Sequence, residues 1–125
     1  MKYNLQKSII GLFLFGIFAC QNIGGAAEIK NISYTELKEM QSNTKDLVLL
    51  DVRTPEEISG GAIGKSIAMD FYSENFKDQL NTLDSNKTTV VYCASGKRSM
   101  KTAVILKEKG FNKVYNLKGG YSAIP

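Results

Sequence analysis

Cys93 opens the stretch Cys93-Ala94-Ser95-Gly96-Lys97-Arg98-Ser99, directly after the run Thr88-Thr89-Val90-Val91-Tyr92. That run reads as a buried strand, and residues 99–109 read as a helix that stops at Gly110. A thiol is thereby delivered from the carboxyl end of a strand into a short loop that enters a helix N-terminus. Backbone N–H groups there are unpaired and the helix dipole is positive, so an anion is favoured. Cysteine reacts as the thiolate, and such surroundings lower its pKa. Lys97 and Arg98 add two cations, and Gly96 offers a position where the backbone can take positive φ. A free cysteine is more often a small buried hydrophobe. The strand-end position, the small-residue loop and the two cations favour instead a reactive thiol built to hold negatively charged sulfur.

A second polar pair, Asp51 and Arg53, follows the apolar run Leu47-Val48-Leu49-Leu50. The expected role is a salt bridge that shapes the rim of the site, since strand-end ion pairs commonly serve structure. Glu56 and Glu57, behind Thr54-Pro55, read as helix-start charges rather than acid–base groups. The 125 residues contain no histidine. A Cys–His hydrolase therefore lacks its general base, and a His-ligated metal site is excluded. Two cysteines cannot build a zinc cluster, so no metal and no cofactor is expected.

The chain is long enough for one domain. Its opening has the features of a signal peptide over residues 1–19. Lys2 and Lys7 form a charged start, and residues 9–19 are almost wholly apolar but too short to span a bilayer. The segment Ile17-Phe18-Ala19-Cys20 resembles the lipobox of bacterial lipoproteins, a resemblance that implies lipidation of Cys20 and a membrane-anchored position on the periplasmic side. Cleavage after Gly25-Ala26-Ala27 and an uncleaved anchor are the alternatives, and all three export the domain. Residues 20–27 form the anchor site and tether, and residues 28–125 the domain. With Cys20 lipidated, Cys93 is a lone thiol without a disulfide partner. The formal charge of +4 falls to +2 without Lys2 and Lys7, a balance that does not suggest nucleic acid. The positive charge matters locally, around Cys93.

The elements that must position these residues follow from periodicity. Short strands are expected at 28–32, 47–50, 66–69, 88–92 and 114–117. Ser33-Tyr34-Thr35-Glu36 has capping-box spacing and predicts a helix over 34–40 with Leu37 and Met40 inward. Pro55 opens a helical turn over 56–58. Residues 72–83 carry Phe76, Leu80 and Leu83 at helical spacing. In the helix after Cys93, Met100, Ala103, Val104 and Lys107 are expected on one face, with Ile105 and Leu106 widening it. Gly119-Gly120-Tyr121 turns towards a terminal helix that barely begins, an end expected to expose apolar surface or leave the domain less stable. Strands alternating with helices imply an α/β fold with a parallel sheet covered on both faces. Sites in such sheets lie at strand carboxyl ends near the switch in strand order, where Asp51 and Cys93 fall.

From residue 29 to 125 the chain resembles the rhodanese-like single-domain sulfurtransferases. The resemblance rests on Leu49-Leu50-Asp51-Val52-Arg53-Thr54-Pro55-Glu56-Glu57, the loop from Cys93 to Ser99, the helix after it, and Leu117-Lys118-Gly119-Gly120-Tyr121. It implies an open five-stranded parallel sheet and a ping-pong reaction. Cys93 would take the outer sulfur of a donor such as thiosulfate or a persulfide, and pass it to cyanide or a thiol. Ala94, Ser95, Gly96, Lys97 and Ser99 would bind the substrate, and Arg98 would stabilise its developing negative charge. Gly60-Gly61-Ala62-Ile63-Gly64-Lys65 stands where the family usually carries a Gly-His-Ile stretch. The missing histidine is generally structural there, so the departure falls on local packing.

Two rival functions are discriminated by the same residues. Phosphatases and arsenate reductases of this fold separate cysteine and arginine by five residues to cradle a tetrahedral oxyanion, whereas Cys93 and Arg98 are separated by four. Non-catalytic binding modules of the fold usually lose the cysteine, which this chain keeps. A persulfide carrier dedicated to one protein partner remains an alternative. The sequence is silent on oligomeric state.

Overall fold

A computed structural model of the protein describes residues 28–125; the leader, Cys20 and the tether lie outside the described residues. Five short strands, β1 (Lys30–Ile32), β2 (Val48–Asp51), β3 (Ile67–Ala68), β4 (Thr89–Tyr92) and β5 (Val114–Leu117), form one sheet. Its order is β1-β5-β4-β2-β3 and every pairing is parallel. Four helices, α1 (Tyr34–Asn43), α2 (Pro55–Ile58), α3 (Phe76–Leu80) and α4 (Lys97–Glu108), join them, and a 3₁₀ turn over Gly120–Ala123 ends the domain. Among the described residues no helix is long and apolar enough to cross a membrane.

Parallel strands need crossover connections, and a sheet covered on both faces needs strands that are apolar throughout. The apolar runs meet that demand. Every residue of β4 is buried. Side chains alternate between faces, so Leu50, Val91 and Cys93 join one core with Phe76 and Leu80 of α3 and Ala103 and Leu106 of α4. Leu49, Val90 and Tyr92 join the other with Ile32 of β1 and Leu37 of α1. The chain leaves β2 towards β3 on one side and β4 towards β5 on the other. The switch point therefore lies between β2 and β4, whose carboxyl ends carry Asp51 and Cys93.

Three helices differ from the sequence expectation. The Ser33–Glu36 capping box forms as its spacing predicts, but α1 continues to Asn43 and closes with Thr44 N–H donating to the Met40 carbonyl. The helix expected over 72–83 contracts to Phe76–Leu80. Upstream of it the Asp70 carboxylate accepts from the Tyr72 amide at 2.9 Å and the Ser73 hydroxyl donates to Asn75, which holds that segment in turns. Helix α4 starts at Lys97, immediately after Gly96 in the left-handed region with φ of 103°. Its buried face is Ser99, Thr102, Ala103 and Leu106, with Met100, Val104 and Ile105 only partly buried beside it. The earlier start turns Ser99 inward beneath the Cys93 loop.

The carboxyl end is tied to that loop as well. Gly119 and Gly120 both have positive φ, and beyond them Tyr121 N–H donates to the Cys93 carbonyl at 2.8 Å and Ser122 N–H to the Ala94 carbonyl at 3.1 Å. Ile124 packs on the second core. The terminal turn thus braces the Cys93 loop. Gly120 sits so close that a Cβ there would collide with the Cys93 carbonyl oxygen and the Ala94 carbonyl group. Gly120→Ala is expected to cost about 2 kcal/mol or more, from backbone strain and this clash together. Thermal unfolding checks this, and a melting temperature equal to that of the unmodified protein would contradict the brace.

Candidate active site

Cys93 follows the last residue of β4, and the pleat turns its side chain onto the α4 face of the sheet. The residue is only 1% exposed. Its sulfur accepts from Gly96 N–H at 3.1 Å and from the Ser99 hydroxyl at 3.4 Å. Burial by itself pushes the thiol pKa up. Hydrogen bonds from the Ser99 hydroxyl and from the amides of Ser99, Gly96 and Ser95 outweigh it, and the thiol ends below its ordinary value. The positive φ of Gly96 lets the loop close this tightly, because the chain must reverse into α4 within four residues of the cysteine. No acidic residue occupies the first turn of α4, so its dipole is left to act on the sulfur.

Arg98, on the first turn of α4, is part of an ion pair. Its Nη1 and Nη2 donate to Oε1 and Oε2 of Glu57 at 2.7 and 2.8 Å, a bidentate pair whose side chains are 17% and 32% exposed. Glu57 is itself fixed: Oε1 accepts from the Thr54 amide and hydroxyl, and the Thr54 hydroxyl caps the Glu57 amide. The Arg98 guanidinium and these donors hold the Glu57 carboxyl down at about 2, and Glu57 raises the guanidinium in turn. The Arg98 guanidinium carbon also lies 5.6 Å from the centre of the Tyr72 ring, within cation–π range. Sequence reasoning treated Glu57 as a helix-start charge and missed this contact. The spacing Thr54-Pro55-Glu56-Glu57 signalled the capping box, but nothing local signalled a partner 41 residues away.

Asp51 and Arg53 form the expected salt bridge, with Nη2 to Oδ2 at 2.7 Å and Nε to Oδ1 at 3.0 Å. They do not form an exposed rim. The pair is buried, because Asp51 stands opposite Tyr92 in the β2–β4 register and therefore faces the α1 side of the sheet, away from the Cys93 sulfur. Arg53 also donates to the Gly61 carbonyl at 2.8 Å and lies against the rings of Tyr121, at 4.1 Å, and Tyr92, at 5.5 Å. The Tyr92 hydroxyl accepts from Ile63 N–H at 3.1 Å and bonds the Ser66 hydroxyl at 2.8 Å. Arg53 and Tyr92 thus secure the stretch that lacks the histidine.

The other loop residues divide by role. The Ala94 carbonyl holds the terminal turn, while Ser95 is exposed. Lys97 is exposed and lines the wall of a cleft of about 510 Å³ on the β5 side of the loop, together with Met100, Lys101 and Lys118. At the floor, Asn116 Nδ2 donates to Asn31 at 2.9 Å and to the Gly96 carbonyl at 3.3 Å. Among the described residues, no three of cysteine, aspartate and glutamate converge where a metal ion would sit.

A family model described as Rhodanese-like domain matches residues 33–124. The Bacillus subtilis protein YtwF, provisionally named a sulfurtransferase, is 38% identical over 96 residues, which cover 77% of this chain and 90% of that protein. A sulfurtransferase of Allochromatium vinosum is 30% identical over 95 residues, covering 76% of this chain and 87% of that one. The crystal structure of a rhodanese-like domain protein from Staphylococcus aureus superposes with a TM-score of 0.68 at 32% identity, covering 76% of this chain and 90% of that chain.

Ser99 supplies the one side-chain hydroxyl bonded to the Cys93 sulfur among the described residues. Ser99→Ala is expected to move the pH midpoint of Cys93 alkylation upwards, since a donor to the thiolate is lost while burial remains. The rate at neutral pH falls accordingly. Iodoacetamide kinetics across pH measure it, and an unmoved midpoint would remove Ser99 from the account.

Proposed function

The chain belongs to the rhodanese-like domain family, and from that premise we propose that it is a sulfurtransferase working through a persulfide on Cys93. The Cys93 thiolate attacks the sulfane sulfur of a donor. With thiosulfate the sulfur–sulfur bond breaks, sulfite leaves with the bonding pair, and Cys93 carries the outer sulfur as a persulfide anion. An acceptor nucleophile, cyanide or a thiolate, then attacks that outer sulfur and releases the Cys93 thiolate. The proton of a thiol acceptor is lost to solvent on ionisation. No external oxidant or reductant enters.

The observation that carries this reading is the ring of donors at Cys93, with Gly96 N–H at 3.1 Å and the Ser99 hydroxyl at 3.4 Å from the sulfur. Such donors stabilise the attacking thiolate and, after transfer, the charge on the outer sulfur. The names of relatives that align over nearly their whole length support the same chemistry. Burial of Cys93 at 1% exposure favours one second reading, a carrier that opens only to a dedicated protein partner. Export and anchoring through lipid on Cys20 complete the proposal, supported by the signal-peptide pattern of residues 1–19.

Incubation with thiosulfate followed by intact mass measurement is expected to add one sulfur atom, absent in Cys93→Ser and discharged by cyanide. Alkylation of Cys93 without sulfur uptake would instead favour the dedicated carrier. Neither uptake nor alkylation would leave a binding module. For the anchor, detergent phase partitioning of the full chain expressed in bacteria is expected to place it with membrane lipoproteins. Cys20→Ser should move it to the aqueous phase, and partitioning unaffected by that change would defeat lipidation.

A further inference from the structure

Arg98 is the cation that the proposed reaction would turn towards an anionic donor, yet its guanidinium is already engaged end-on by a carboxylate. Both Nη atoms meet Glu57 at 2.7 and 2.8 Å. The carboxylate cannot drift aside, because its Oε1 also accepts from the Thr54 amide and hydroxyl at 3.2 and 3.1 Å. The Tyr72 ring at 5.6 Å borders the guanidinium on another side. Protonation does not release it either, since Glu57 stays ionised down to a pH of about 2. Arg98 therefore contributes N–H groups to the site but almost no net charge. Lys97, the other cation of the loop, is exposed on the wall of the β5-side cleft.

From this arrangement we propose that Glu57 is a specificity-determining residue that biases sulfur uptake towards hydropersulfides of thiols and against dianionic donors such as thiosulfate. The inference rests on the sulfurtransfer reading and names the donor class for the same site. The two donors deliver the same atom and differ in what leaves. From a hydropersulfide, R–S–SH, Cys93 takes the terminal sulfur. The sulfur–sulfur bond of the donor breaks, and R–S⁻ leaves with the bonding pair and takes up the proton of the terminal sulfur. From thiosulfate the leaving group is sulfite, which carries two negative charges. A neutral Glu57–Arg98 pair attracts a dianion weakly, because repulsion by the Glu57 carboxylate offsets the attraction of the guanidinium. A hydropersulfide with an uncharged tail asks only for the amides and the Ser99 hydroxyl.

The test compares kcat/KM for thiosulfate and for 2-hydroxyethyl hydropersulfide in the unmodified protein, Glu57→Gln and Glu56→Gln. Glu57→Gln keeps the size of the side chain and one acceptor for Arg98 but removes the charge. Its KM for thiosulfate is expected to fall about five-fold, the scale of one partly exposed charge interaction, with kcat/KM for the hydropersulfide little changed. Structural damage would move both donors in the opposite direction. Glu56 is exposed on the same turn, without a bond to Arg98, so Glu56→Gln should leave the donor ratio as in the unmodified protein. An unchanged ratio in Glu57→Gln, or an equal change in Glu56→Gln, overturns the inference while leaving sulfurtransfer intact. If neither donor charges Cys93 in the unmodified protein, the sulfurtransfer reading falls and this inference with it.

Discussion

A cysteine sulfur 1% exposed at the end of a buried strand is stable as an anion only if donors surround it. That constraint organises the domain. Gly96 and Ser99 provide the donors, and each depends on another part of the chain. Gly96 must adopt φ of 103° for its amide to turn back on the sulfur. Ser99 must fall on the inward face of α4, which requires the helix to begin at Lys97. The terminal turn then holds the loop from the other side through the Cys93 and Ala94 carbonyls, so the loop's geometry also rests on Tyr121 and Ser122, more than twenty residues further along the chain.

The segment from Asp51 to Glu57 assigns the two nearby arginines their roles. Asp51 takes Arg53 into the core on the α1 face, and Glu57 takes Arg98 at the edge of the site. Both pairs start from the carboxyl end of β2, the strand beside β4 at the switch point. The buried pair is a weak source of net stability, because desolvation offsets much of its attraction. Its value lies in register: breaking it would leave a charge under Tyr92 and free the Gly61 stretch. The partly exposed pair acts on charge instead, leaving the loop amides as the principal positive field around the sulfur.

The buried strands and the covering of the sheet on both faces were legible because a doubly covered parallel sheet needs apolar strands, and 47–50, 88–92 and 114–117 are apolar at most positions. The Cys93 loop was legible for a similar reason, since a thiol between a strand and a helix leaves few alternatives. The start of α4 was not, because Lys97 and Arg98 are poor indicators of a first turn, where the dipole favours acids. The shortened α3 was hidden too. Its apolar spacing is helical, but the side chains of Asp70, Ser73 and Asn75 capture local partners first. Least legible was Glu57 with Arg98: capping residues announce themselves within four positions, whereas an ion pair across 41 residues depends on how β2 and β4 lie side by side.

The same geometry argues against phosphoryl chemistry on this loop. A bound phosphate needs the loop amides for its oxygens and an arginine for its charge. Here the Gly96 amide is directed at the sulfur itself at 3.1 Å, and the Arg98 guanidinium at Glu57. Four residues separate cysteine from arginine, and the Gly96 amide and the Ser99 hydroxyl converge on the one sulfur atom. A sulfur added by the proposed transfer would form one new bond to Cys93 and bring none of the oxygens of a phosphate. The size of the loop and the pairing of its arginine thus point to the same choice, a single soft anion rather than an oxyanion.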